Sequence, residues 1–161
     1  MTEFYEIEPV VENICKYLPQ PSNFRDSIIS VSSKALLANY GPSERKMNCH
    51  DTVAMALRLS TITYGQTIYH LKRDVQKFNS GILQAGSVMC LGYGEKFVHS
   101  AILLSPEIAW GKDAKNGPIE IMPVSELLTK YQQRFSSENA NNISQFIFPV
   151  NTILTNLVLE Y

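Results

Sequence analysis

Two spacings of apolar residues divide this chain. Up to about residue 80 they recur every three or four positions, the repeat of one helical face. Ile7, Val10, Val11, Ile14 and Leu18 predict a helix over residues 4–18, ended by Pro19 and Pro21. Ser27–Tyr40 reads as a second helix, or as a short strand running into one. Gly41-Pro42-Ser43 breaks the chain, and Val53, Ala56 and Leu57 then mark a third helix. Asn48 is its natural N-cap, and it runs to about Ser60. Residues 61–80 are mixed, with Tyr69, Leu71, Val75 and Phe78 allowing one more short helix before the turn Asn79-Ser80-Gly81.

Beyond Gly86 the spacing changes to short apolar runs between turns, which predict strands. They are Ser87–Leu91, Phe97–Leu104, Glu107–Trp110 and Ile119–Met122, separated by Gly92-Tyr93-Gly94-Glu95, Ser105-Pro106 and a loop over residues 111–117. Pro123 opens a helix that lasts to about Phe135. Phe146–Phe148 and Thr152–Leu159 are late strands, or a strand and a terminal helix. Helices first and a meander afterwards predict an α+β domain with an antiparallel sheet. Neither a linker nor a repeat divides the chain, so residues 1–161 are expected to form one domain.

Composition narrows the function. Hydrophobic residues make up 45% and charged residues 18% of the 161, a globular balance. A formal net charge of -1 argues against a general nucleic-acid binder. The acidic start Met1–Glu8 lacks a signal peptide's basic segment and apolar core, and no run is long enough for a membrane span. The expectation is a domain made in the cytoplasm, with secretion or injection by a route that needs no leader left open. Cys15, Cys49 and Cys90 are odd in number and widely spaced, which implies neither a disulfide framework nor a zinc site. Cys15 and Cys90 read as core residues, and Trp110 as packed or lining a cleft.

Cys49 is different, because it falls in the first turn of its helix. The positive end of the helix and its unpaired N–H groups favour a thiolate there. A cysteine nucleophile needs a base, and the base an orienting partner. His50 points about 100° away from its neighbour on a helix and is badly placed. His70 lies in a polar stretch. His99 stands in an apolar strand and by alternation shares a face with Phe97, Ala101 and Leu103, against which the Cys49 helix would pack. The orienting group is expected just after the next strand. Asp113 is favoured, Asn116 is open, and Glu107 and Glu120 are weaker. The backbone N–H of Cys49, with the Asn48 side chain, would bind an oxyanion. No cofactor is called for, and a metal on His50 and His99 lacks a further spaced ligand.

Asn48-Cys49 at a helix start and His99-Ser100-Ala101-Ile102-Leu103-Leu104 on a strand resemble the papain-like cysteine hydrolases of NlpC type. Gly86-Ser87-Val88-Met89 is similar to that family's Gly-Asp-Leu-Val segment, with Ser87 at the acidic position. Ile119–Val124 matches its later strand, so the resemblance covers about residues 45–125. It implies N-terminal helices packed on an antiparallel sheet, with cysteine on a helix and histidine on the sheet. It also implies amide-bond hydrolysis, as a peptidase or amidase acting on peptidoglycan stem peptide or a protein. Its members include bacterial toxins and effectors delivered into other cells, for which an immunity protein or a host protein is the expected partner. The competing expectation is a non-catalytic binding domain that keeps the fold.

Overall fold

A computed structural model describes residues 48–113, 119–135 and 143–159. The two expected N-terminal helices, with Cys15, lie outside these residues, as does Asn116. The described elements run α1 (Cys49–Ala56), α2 (Thr61–Arg73), α3 (Val75–Phe78), β1 (Ser87–Tyr93), β2 (Lys96–Leu103), β3 (Ile108–Lys112), β4 (Ile119–Pro123), α4 (Val124–Arg134), β5 (Ile143–Pro149) and α5 (Val150–Thr155). The fold is α+β, around one five-stranded antiparallel sheet ordered β4-β3-β2-β1-β5. The last strand is β5 and the terminal apolar run is the helix α5. The mixed stretch after Ser60 is helical through Arg73, because Ser60 caps it and Tyr64, Ile68 and Leu71 give it a buried stripe.

Both faces of the sheet are covered. On one, Val53, Ala54 and Ala56 of α1 and Tyr64, Ile68 and Leu71 of α2 pack with Val88, Cys90, Ile102, Trp110 and Phe148. On the other, Val124, Leu127 and Tyr131 of α4 pack with Met89, Leu91, Ala101, Leu103 and Ile147. Alternation along β1 and β2 sends neighbouring residues into these two cores.

Strand β2 breaks that alternation once. Leu91 pairs with His99 and Gly92 with Phe97, so Val98 is an extra residue on β2. Phe97 is thereby turned into the α1–α2 core, while Val98 joins His99 on the α4 side. The expectation that Phe97 shares a face with His99 fails for this reason. The body of α1 also packs on the face opposite His99, and only its first two residues, Cys49 and His50, reach β2 on either side of His99.

Candidate functional site

The start of α1 is fixed by local chemistry. Asn48 Oδ1 accepts from the Asp51 N–H at 2.8 Å, and Asp51 Oδ2 accepts from the Asn48 N–H at 3.2 Å, a reciprocal capping box. Cys49 follows as the first helical residue and is 6% exposed. Its Sγ lies 4.0 Å from the carbonyl oxygen of Val98. The registered pairs between β2 and β3 are only Ile102 with Trp110 and Leu103 with Ala109. The sulfur therefore meets β2 past those pairs, at the residue preceding His99.

Burial dominates the thiol. It pushes the Cys49 pKa up, although the backbone N–H groups of Ser100, His50 and Cys49 pull it down. The thiolate expected from the helix terminus is therefore not the resting form: desolvation outweighs the dipole. His99 is equally neutral, since burial lowers its pKa to about 3; repulsion from any charge on His50 and from Lys130 and Arg134 acts in the same direction, and Asp113 opposes it. The candidate pair rests as thiol and imidazole.

On the α4 side, His99 Nδ1 is 2.8 Å from the Tyr131 hydroxyl, with ring centroids 4.6 Å apart. The same hydroxyl donates to Asp113 Oδ1 at 3.5 Å. Arg134 donates to both Asp113 oxygens, at 2.8 and 3.1 Å, and Lys130 Nζ lies 2.9 Å from Oδ2. These cations hold the Asp113 carboxyl well below the usual range. Lys130 also donates to Glu120, which ties β4 to α4. Asp113 thus meets His99 through Tyr131, a residue that sequence reasoning missed. Its only prior signal is its place on the α4 stripe with Val124 and Leu127, which says core and nothing more.

On the other face a second network surrounds Ser100. His50 Nε2 lies 3.1 Å from the Phe97 carbonyl, which can only accept, so Nε2 carries the proton. His50 Nδ1 then accepts from Ser100 Oγ at 2.7 Å, and Tyr64 donates to Ser100 at 2.9 Å. Cys90 Sγ adds a contact at 3.7 Å, its thiol pushed up to about 12 by burial. His50 thereby clamps the start of α1 to β2 and sets where Cys49 sits. His70 is exposed on α2.

A cleft of about 480 Å³ opens beside this clamp, lined in part by His50, Asp51, Tyr64, Gly65, Lys72 and Phe97. That volume is in the range of small-molecule and side-chain sites. Among the described residues no three His, Cys, Asp or Glu side chains gather as metal ligands, and no helix is long and apolar enough to cross a membrane. Comparison of the chain with models of protein families, with curated proteins and with solved structures finds no match.

Proposed function

We propose that this chain is a papain-like cysteine hydrolase of NlpC type that cleaves an amide bond. One contact carries the reading: a helix-terminal sulfur lying against the strand edge at the residue beside the His99 position. Cys49 Sγ attacks the carbonyl carbon while His99 takes the thiol proton. The C–N bond then breaks, His99 returns the proton to the leaving amine, and water releases the acyl group from sulfur. Burial keeps both groups neutral at rest, so the thiol proton has to move to His99 within the reaction itself. Asp113 fixes the base. The Cys49 N–H and the Asn48 amide nitrogen, whose Oδ1 is used by the cap, serve the oxyanion.

The substrate class is a peptide or protein; the cleft at His50 is lined by neither Cys49 nor His99, so in this reading it receives a part of the substrate remote from the scissile bond. The setting is a bacterial effector delivered into another cell, acting on a host protein or on peptidoglycan stem peptide. Cys49→Ala and His99→Ala, made separately, are each expected to abolish release of new amino termini or ammonia from these substrates. Wild-type turnover in either variant removes that residue from the reaction. Purified peptidoglycan distinguishes the substrates, since new peptide ends appear only if the wall is cut.

Burial of Cys49 favours a second reading, a binding domain that retains the fold without the reaction. Iodoacetamide separates the two. Alkylation of Cys49 at neutral pH no faster than that of a free cysteine, together with inert substrates, supports the binding domain.

A further inference from the structure

We propose that Tyr131 is a positioning residue that bridges Asp113 to His99 and holds the imidazole as the tautomer protonated on Nδ1, leaving Nε2 as the proton acceptor. The consequence for turnover rests on the hydrolase reading above; the tautomer itself does not.

The Tyr131 oxygen carries one hydrogen and makes one short approach, 2.8 Å to His99 Nδ1, and one long one, 3.5 Å to Asp113 Oδ1. Asp113 is ionised, because Arg134 and Lys130 hold its carboxyl low, so it can only accept. The phenol stays protonated, since burial and the neighbouring Cys49 and Asp113 raise it.

Two arrangements remain. If the hydroxyl donates to Nδ1, nothing lies between the phenol oxygen and the carboxylate, and two sets of lone pairs face each other. If it donates to Asp113, Nδ1–H donates to the phenol oxygen and each contact contains one hydrogen. Only the second satisfies both approaches. It is also the only one that leaves Nε2 with a free lone pair, which a base for the Cys49 thiol requires.

The surroundings hold the bridge in place. Val124, Leu127 and Tyr131 form the buried stripe of α4, which fixes the phenol over β2. Arg134 lies 4.8 Å from the Tyr131 ring centroid while its fork grips Asp113, so one side chain orders both the bridging phenol and its carboxylate end. Phenylalanine would fill the same volume and make the same ring contact with His99. The hydroxyl is therefore the part whose role is polar.

Nitrogen-15 NMR of the full chain labelled at histidine tests this. The wild-type His99 spectrum is expected to show a protonated Nδ1 and an unprotonated Nε2. In Tyr131→Phe, Nδ1 loses its acceptor and the ring is expected to revert to the form protonated on Nε2. A wild-type ring already protonated on Nε2 overturns the proposal, and so does a tautomer unchanged in the variant. Should Tyr131→Phe fail to fold, the wild-type spectrum decides alone. Iodoacetamide alkylation of Cys49, read by peptide mass, is expected to slow several-fold in the folded variant. If Cys49 is inert in the wild type while the Nδ1–H tautomer is present, the hydrolase reading falls and the bridge stands.

Discussion

Strand β2 carries polar networks on both faces, and they are built differently. Toward α1 and α2, His50, Ser100, Tyr64 and the Phe97 carbonyl form a neutral set whose donors and acceptors are all assigned by one carbonyl that cannot donate. Toward α4, His99 and Tyr131 end on an ionised carboxylate gripped by two cations. The first network is closed and holds parts together. The second has a charge at one end and a titratable base at the other, an arrangement in which a proton can be held ready. Cys49 is held at β2 by the clamp of the first, and its sulfur meets the strand at Val98, the residue before His99.

The contrast breaks most visibly in acid. His99 is held near pKa 3 in the folded chain against an ordinary value of 6.5, so the unfolded chain binds its proton first as pH falls. The stability contributed by the neutral ring is complete above about pH 6.5 and is lost progressively down to about pH 3, on the order of 4 kcal/mol. His50, also lowered by burial, adds to the loss with the same sign. Asp113 joins only below its ordinary 3.8, since its carboxyl is depressed from there. Urea unfolding at a series of pH values is expected to show a shallower fall for His99→Gln than for the wild type between pH 6 and 4. Parallel curves would mean that His99 is not the buried neutral group.

Next in size is the clamp. His50→Ala removes the ring from between Ser100 and the Phe97 carbonyl and leaves buried polar atoms without it. The expected cost is about 2–4 kcal/mol in urea unfolding. Faster alkylation of Cys49 should accompany it, because the start of α1 is released from β2. A loss below about 0.5 kcal/mol would show that the cap at Asn48 suffices without the clamp. A smaller effect is expected for Tyr64→Phe, which removes one donor to Ser100 and keeps the ring in the core. About 1 kcal/mol is the expectation, with the His50 tautomer unchanged by NMR. A shift of the His50 proton to Nδ1 would mean that the network is not closed by the Phe97 carbonyl alone.

The two networks were unequally legible in the sequence. The strands were readable because turns such as Gly94 and Ser105-Pro106 punctuate short apolar runs, and the structure moves their ends by only a residue or two. The Asn48 cap was readable because it is local. Three things were not. The extra residue Val98 reverses alternation at Phe97, and nothing in Lys96-Phe97-Val98-His99 announces which residue the partner strand will skip. The Cys49 thiol was expected to ionise from its place on a helix, but its burial depends on how β2 and α1 meet. Tyr131 looked like any buried aromatic until α4 was laid across the strand bearing His99.

The smallest expected effect has the opposite sign and lies at the cleft beside the closed network. Gly65 occupies the interior of α2, where glycine costs about 0.5–1 kcal/mol relative to alanine. A Cβ built there meets nothing within 4 Å, so no neighbour demands the missing side chain. Its φ is helical and alanine fits without strain. Gly65→Ala should therefore stabilise the chain by about 0.5–1 kcal/mol, read as a higher urea midpoint at unchanged slope. If the cleft receives substrate, Gly65→Leu should raise KM for a cleaved peptide and leave the His99 spectrum alone, because Gly65 lies on the cleft's rim and the substitution adds bulk there. An unchanged KM would assign the glycine no part in recognition and place the receiving surface elsewhere along α1.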